Sequence, residues 1–288
     1  MKRKVIKQRD SYTITLPMGW VKEHGIDGSK EINVDEDKDG LYITTKESQR
    51  KEGEITIDST NKKFIIYILH NAYRNGYDSL RIHVSESIVV EQIEGLMKNC
   101  MGWEIVKKKD KLVVIDNLTE PNTDRFEKLF RKSFYMIKED LVNLQKGTLD
   151  LEGVSKHSQE VIKIDNFCRR AVTKKAVDKE KIALHWHFYA TLTTIQRTIY
   201  YLLKAKKVKS VSGKIKELLG LLINAFDALH EGYFSKDLKK IGEVFDIIDK
   251  VYSSREQYLK ADPILGYHLI EMARIINVSC SPCVGILV

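Results

Sequence analysis

Residues 3–17 read Arg-Lys-Val-Ile-Lys-Gln-Arg-Asp-Ser-Tyr-Thr-Ile-Thr-Leu-Pro. Apolar and polar side chains alternate on both sides of residues 9–11, a pattern that predicts two short strands joined by a turn. A short amphipathic helix over 18–24 follows, and two further strands are predicted at 30–35 and 40–45. This β-β-α-β-β order occupies about 45 residues, which are too few to bury a hydrophobic core in one copy.

The first nine residues are strongly basic, with two arginines, three lysines and no acidic residue. A cationic strand suits the DNA backbone, because each phosphate that it neutralises releases bound counterions. A charge run that is merely solvated, or that is attracted to a membrane surface, is the alternative interpretation. The side chains predicted to contact DNA are Lys2, Arg3, Lys4, Lys7, Arg9, Ser11 and Thr13.

Four segments of this region resemble one known domain family. They are Arg3-Lys4-Val5, residues 11–17, residues 20–26 (Trp-Val-Lys-Glu-His-Gly-Ile) and residues 39–43 (Asp-Gly-Leu-Tyr-Ile). Together they resemble the swapped-hairpin DNA-binding domain of the AbrB/MazE/SpoVT family. In that family two chains exchange hairpins to form one intertwined dimer. The resemblance therefore implies an obligate homodimer that binds double-stranded DNA through a pair of strands.

The composition is that of an ordinary globular protein. The chain has 288 residues, 43% of them hydrophobic, which leaves room for two or three domains. Its net charge of +8 favours acidic partners. Four cysteines are too few for a disulfide framework in so long a chain. No uninterrupted apolar run of about 18 residues and no hydrophobic leader stands out, so we expect a cytoplasmic protein without membrane insertion.

A polar segment at 45–53 separates the first predicted domain, residues 1–48, from a second domain at 52–118. The second domain is predicted to contain strands at 54–58, 79–84, 103–106 and 111–115 and helices at 62–74 and 88–98. The order β-α-β-α-β-β describes a small α/β sandwich. It lacks a glycine-rich phosphate-binding loop, and we expect it to be a spacer, a dimer support or a ligand-sensing module.

Residues 121–288 change to long amphipathic helices joined by polar turns. The predicted helices cover 122–146, 153–176, 179–207, 211–231, 235–258 and 264–279. They divide into two sets of three, of which residues 215–230 (Ile-Lys-Glu-Leu-Leu-Gly-Leu-Leu-Ile-Asn-Ala-Phe-Asp-Ala-Leu-His) are the most characteristic. This region resembles the PhoU domain of phosphate-uptake regulators. An AbrB-type domain followed by a PhoU-like domain is typical of archaeal phosphate regulators.

The fold class that follows is a multidomain α+β protein. It consists of an N-terminal swapped-hairpin β-barrel, a small α/β sandwich and a C-terminal all-α pair of three-helix bundles. Each part has its own periodicity: two residues in the strands and about 3.6 residues in the helices. The C-terminal half should therefore be entirely helical.

The PhoU resemblance also implies positions for metal-binding carboxylates. Asp165 and Asp249 occupy such positions, but apolar residues replace the second acidic residue of each motif. One carboxylate cannot hold a metal ion that needs several converging ligands. On the facing helices, Arg197 and Arg274 stand at the ligand positions. We therefore predict the ion pairs Asp165–Arg197 and Asp249–Arg274, and no metal or other cofactor.

These patterns predict a transcriptional regulator of phosphate uptake or phosphate homeostasis, with DNA, a second copy of the chain, and a phosphate transporter or signalling protein as partners. One alternative is a PhoU-like signalling adaptor that uses the hairpin domain only to dimerise. Another is an antitoxin, although antitoxins of this type usually end in a short disordered tail. No cluster of nucleophile, base and orienting group indicates an enzyme.

Overall fold

The computed structural model describes residues 3–26, 31–37, 40–44, 50–119, 126–176, 179–208, 210–211 and 213–288. These residues form N-terminal strands, a mixed sheet and a predominantly helical C-terminal region, which confirms the α+β class. The chain divides into two compact units, Met1–Arg50 and Lys51–Val288. The finer domain boundaries at 1–48, 52–118 and 121–288 stay predictions.

The first unit contains two antiparallel hairpins and a short helix. Its elements are β1 (Val5–Gln8), β2 (Ser11–Ile14), α1 (Met18–Glu23), β3 (Asn33–Asp37) and β4 (Gly40–Thr44). Helix α1 ends at Gly25, whose φ of +63° is a conformation that glycine adopts without steric strain. Trp20 is half-buried, with its ring 4.8 Å from that of His24. Residues 30 and 45 of the predicted strands lie outside the described residues.

Residues 51–119 of the second unit, here called the sheet region, alternate strands and helices as predicted. The elements are β5 (Glu52–Ile57), α2 (Lys62–Arg74), β6 (Ser79–Val84), α3 (Ile88–Leu96), β7 (Trp103–Lys109) and β8 (Leu112–Asn117). The strand order is β5-β6-β8-β7, with β5 parallel to β6 and the other pairs antiparallel. Asn61 caps α2, because its side chain accepts the N–H groups of Lys63 and Phe64.

Residues 126–288, here called the helical region, form a separate hydrophobic core. The helices are α4 (Phe126–Lys146), α5 (Leu151–Ala171), α6 (Ile182–Ala205), α7 (Gly213–Ser235), α8 (Leu238–Ser253), α9 (Arg255–Ala261) and α10 (Pro263–Leu287). The predicted helix over 235–258 is divided, because Asp237 caps the start of α8 and the chain bends at Ser254 before α9. Helix α10 continues past its predicted end at 279.

Helix α10 is long and apolar enough, by length and composition, to cross a membrane. Its buried side chains include those of Leu269, Met272, Ile276, Cys280 and Cys283. It packs against α6, α7 and α8, and the core helix of a globular protein satisfies the same criteria. Glu271 and Arg274 interrupt its apolar run, so the sequence pattern alone does not indicate a spanning helix.

A buried polar network joins the sheet region to the helical region. The carboxylate of Asp78 accepts hydrogen bonds from Arg170 Nη2 and Lys174 Nζ, each at 2.7 Å. It also accepts the backbone N–H of Lys51 at 2.8 Å. Arg170 is only 1% exposed and donates further to the carbonyl oxygen of Tyr77, which also accepts the indole N–H of Trp103. Residues at the start of the second unit and on α5 are thus held by one carboxylate.

Asp165 forms the second ion-pair centre of this network. Its carboxylate, 4% exposed at the residue level, pairs with Arg74 Nη2 and Arg169 Nε, both at 2.8 Å. The Arg169 guanidinium also lies 5.4 Å from the ring centre of the half-buried Trp186. The predicted partner Arg197 is wrong, because Asp165 faces α2 of the sheet region rather than α6. Arg197 is exposed on α6 and donates to the hydroxyl oxygen of Tyr201.

We call this set the junction network: Arg74, Asp78, Asp165, Arg169, Arg170 and Lys174.

The second predicted ion pair, Asp249 with Arg274, is also wrong. Asp249 lies on the exposed face of α8, so it has no need of a buried partner. Arg274 is exposed on α10 and binds Glu271, one turn earlier on the same helix, through two hydrogen bonds.

A third buried carboxylate, Asp140, lies inside the helical region. It is fully buried and accepts hydrogen bonds from His157 Nδ1 and Gln196 Nε2, both at 2.7 Å. Burial raises its pKa above the ordinary value, although these two hydrogen bonds oppose the shift. A carboxyl with a raised folded pKa stabilises the fold below its unfolded pKa, and this contribution is lost as the pH rises through the folded pKa.

We therefore predict that Asp140→Asn makes stability less dependent on pH. The wild type should lose free energy of unfolding above pH 4, by about 1.4 kcal/mol for each unit by which the pKa is raised. The variant cannot ionise at this position and should lose less. Urea unfolding of both proteins between about pH 4 and 7 measures the difference. Asp246→Asn, at an exposed site of α8, is the matched control; equal slopes for all three proteins would contradict the prediction.

Candidate nucleic-acid interface

The hairpin β1–β2 presents the side chains that the sequence assigns to DNA. Its register places Val5 opposite Ile14 and Lys7 opposite Tyr12. Opposed residues of an antiparallel pair lie on the same face, so these four side chains share one face of the hairpin. We call it the apolar face.

The opposite face carries the remaining strand residues, with Ile6 opposite Thr13 and Gln8 opposite Ser11. We call it the polar face. Gln8 is not among the residues predicted to contact DNA, although the short turn fixes its register beside Ser11. The Ser11 hydroxyl donates to the Gln8 carbonyl oxygen at 3.0 Å and so helps to close the turn.

The predicted DNA-contacting residues do not lie on one face. Side chains alternate along a strand, so Lys4 and Lys7, three positions apart, point to opposite faces. Lys7 lies on the apolar face, whereas Ser11 and Thr13 lie on the polar face. Arg9 stands at the tip of the hairpin in the left-handed conformation, with φ of +51°. The predicted set therefore surrounds the tip of the hairpin, with cations on both faces.

All described members of the predicted set are exposed: Arg3, Lys4, Lys7, Arg9, Ser11 and Thr13. Lys2 lies outside the described residues. Because the guanidinium and ammonium groups are exposed to water, DNA phosphates can reach them and counterions are released. The hairpin can therefore meet a polyanion without rearrangement of its own backbone.

The first unit also leaves hydrophobic side chains exposed. Tyr12 is 69% exposed on the apolar face, beside exposed Val5 and Ile14. On the second hairpin Leu41 is 63% exposed, and Val34 is exposed opposite Ile43. Among the described residues of this unit, Ile26 is the one hydrophobic residue that is buried. One copy therefore has an apolar surface without a covering partner.

No metal site is apparent in the part of the chain that the structure describes. No group of three or more histidine, cysteine, aspartate or glutamate side chains converges there. The four cysteines are free and buried. Burial raises the pKa of Cys100, Cys280 and Cys283 to about 12, which disfavours the reactive thiolate.

Comparison with known proteins agrees with the geometry of the first unit. The family model described as "Antidote-toxin recognition MazE, bacterial antitoxin" matches residues 5–52. No curated protein and no solved structure matches the chain. The PhoU resemblance of the helical region stays a prediction. Residues 5–52 form a MazE/AbrB-type domain, the kind that occurs in DNA-binding or antitoxin-like regulators.

Proposed function

We propose that this protein is a cytoplasmic transcriptional regulator that binds DNA as a homodimer and controls phosphate uptake. The observation that carries the proposal is the exposed basic hairpin β1–β2 within a MazE/AbrB-type domain. Arg3, Lys4, Lys7 and Arg9 form no ion pair with a carboxylate of the described residues, so their charges are available to phosphates. We assign it a binding role and no catalytic step.

The dimer is proposed from the apolar surface of the first unit. A second copy that exchanges its hairpin would cover Val5 and Ile14, which lie further from the tip than Lys7 and Tyr12, and complete a β-barrel. Such a dimer has two-fold symmetry, which suits a pseudo-palindromic operator. The two hairpin tips, each with its Arg9, would then contact equivalent half-sites.

The assignment to phosphate uptake rests on the PhoU resemblance of residues 121–288. We assign this region as two three-helix bundles that relay phosphate status, in contact with a phosphate transporter or a signalling protein. Sequencing the DNA fragments that copurify with the protein tests this assignment. We expect operators beside phosphate-transport genes; a set of unrelated promoters would contradict it.

An antitoxin is the second candidate, because the matched family is described as one. The second unit, Lys51–Val288, argues against an antitoxin, because it folds as a compact body rather than as a toxin-wrapping tail. Copurification of a small toxin from the native host would favour the antitoxin. A protein that dimerises but shifts no DNA would instead be a signalling adaptor.

Removing the basic side chains of the hairpin is expected to abolish specific DNA binding. The variant replaces Arg3, Lys4, Lys7 and Arg9 by alanine. Since all four are exposed, its fold should be unchanged. The slope of log K against log salt concentration should fall by about 0.9 for each phosphate that the variant no longer neutralises. Mobility shift with copurified DNA measures both effects.

The control replaces four exposed basic residues of α8 and α9 by alanine: Lys239, Lys250, Arg255 and Lys260. It removes the same formal charge, so a loss that depends only on net charge appears in both proteins. Wild-type affinity in the hairpin variant would show that this hairpin does not read the DNA.

A further inference from the structure

The excess positive charge of the protein lies outside the hairpin domain. Residues 1–50 contain ten basic and nine acidic residues, whereas the whole chain has 48 and 40. Seven of the eight net positive charges therefore belong to residues 51–288. The stretch 182–216 also has a net charge of +7, because it contains seven basic residues and no acidic residue.

Part of this charge lies on a surface that α6 shares with α2. We call it the α2–α6 surface, and it consists of Lys63, Phe64, Tyr67, Arg197, Tyr201 and Lys204. All six side chains are exposed, and Tyr67 is 56% exposed. Neither helix contains an aspartate or a glutamate. Two helices from different regions, neither with an acidic residue, thus present cations and aromatic rings on one surface.

Arg197 lies at the centre of this surface. Its Nη2 donates to the Tyr201 hydroxyl oxygen at 3.5 Å, and its guanidinium carbon is 5.9 Å from the centre of that ring. Tyr67 of α2 also raises the pKa of Arg197. Phenols from both helices therefore act on Arg197 without neutralising it. Arg197, Lys63 and Lys204 form no ion pair with a carboxylate of the described residues.

The two lysines flank the same tyrosine. The pKa of Tyr201 lies below its ordinary value, because Arg197 donates a hydrogen bond to its hydroxyl oxygen and lies beside it. Lys63 and Lys204 lower this pKa further by their charges. Positive charge from α2 and from α6 therefore converges on one site, and that site is open to solvent.

We propose that the α2–α6 surface binds the phosphate backbone of duplex DNA, as a second contact besides the hairpin. Phosphate oxygens accept hydrogen bonds from arginine, lysine and tyrosine side chains, which position a protein on the duplex without reading bases. Three exposed cations that form no ion pair with a carboxylate of the described residues gain from counterion release. The Tyr201 hydroxyl also accepts a hydrogen bond from Arg197, which lowers the entropy lost when it meets a phosphate. The contact is independent of the sequence that the hairpin reads.

The test removes the three cations in the full-length protein. The variant is Lys63→Ala, Arg197→Ala and Lys204→Ala, and the probe is a labelled duplex of random sequence, about 40 base pairs long. We expect the salt slope to fall by about 2–3 and the affinity at low salt to drop about tenfold or more. A milder variant, Tyr67→Phe with Tyr201→Phe, keeps every charge and should weaken binding less. Thermal melts check that both variants are folded.

The matched control is Lys239→Ala, Lys250→Ala and Arg255→Ala, which removes the same charges from α8 and α9. An equal effect of test and control variants would overturn the proposal, because it would reflect net charge alone. Tighter binding of single-stranded DNA, lost in Tyr67→Ala with Tyr201→Ala, would overturn the duplex assignment, because it would indicate base stacking. Tighter binding of polyglutamate than of duplex would indicate an acidic protein partner and would also overturn it.

The hairpin variant separates this inference from the proposed function. If the hairpin variant binds no DNA and the α2–α6 variant binds as the control does, the inference fails and the hairpin remains the reader. If the α2–α6 variant loses binding and the hairpin variant keeps it, the inference holds and the hairpin is not the reader. Additive losses in the combined variant would support both binding surfaces.

Discussion

Asp78→Ala is expected to lower the free energy of unfolding of the second unit by about 3–5 kcal/mol, because it removes a carboxylate that two cations share in a buried network. Arg170 is 1% exposed and cannot turn to solvent. Its Nη2 and the Lys174 ammonium would both lose the carboxylate that they share. The backbone N–H of Lys51 would lose its acceptor as well. Urea unfolding, followed by circular dichroism, measures the change.

The effect should depend on pH with a definite sign. Burial alone would raise the pKa of Asp78, but hydrogen bonds from Lys174 and the Lys51 N–H, with the charge of Arg170, lower it overall. A lowered folded pKa contributes stability above the unfolded pKa, and this is lost as the pH falls through the folded value. The difference between wild type and Asp78→Ala should therefore shrink in strong acid. Asp58→Ala, at an exposed site, is the control; equal stabilities at neutral pH would show that the network contributes nothing.

A charge placed on the apolar surface of the first unit is expected to abolish dimerisation and specific DNA binding together. The variant carries Ile14→Asp and Leu41→Asp, one on each hairpin. Each carboxylate would have to be buried without a partner in the proposed barrel, and burial of an unpaired charge is prohibitive. Sedimentation velocity should show a monomer, and mobility shift should show at least about a hundredfold loss of affinity.

The control places the same charges on exposed apolar residues of the helical region, as Leu238→Asp with Tyr267→Asp. We expect this protein to remain a dimer and to bind DNA. A dimer that survives Ile14→Asp with Leu41→Asp would contradict the swapped-hairpin assignment. Loss of the dimer in both proteins would indicate that the dimer interface lies in the helical region.

The elements were predictable because their signals are local. The helix predicted at 62–74 is α2, with a periodic apolar face and Asn61 as its cap. The partners of Asp165 were not predictable, because Arg74 lies 91 positions away and such a pair leaves no periodic trace in the sequence. The resemblance placed Asp165 opposite Arg197; the packing of α5 against α2 decided otherwise.

The candidate site was predictable in its residues and only partly in its geometry. The basic character of residues 1–9 indicated the hairpin, but the charges alone do not show on which face of the hairpin each side chain lies. Lys7 lies on the apolar face because strand side chains alternate, and this rule was available from the sequence. The α2–α6 surface was not predicted, because its signal is the absence of acidic residues from 182–216 rather than a run of basic residues.

Each of the protein's three tryptophans belongs to a different part of the chain. Trp20 lies in the first unit, Trp103 in the sheet region beside Tyr77, and Trp186 in the helical region beneath Arg169. The last two stand on either side of the junction network. Variants that retain a single tryptophan would therefore report the melting of the corresponding part of the chain by fluorescence. The emission of Trp103 and Trp186 would show whether the two hydrophobic cores separate before either one unfolds.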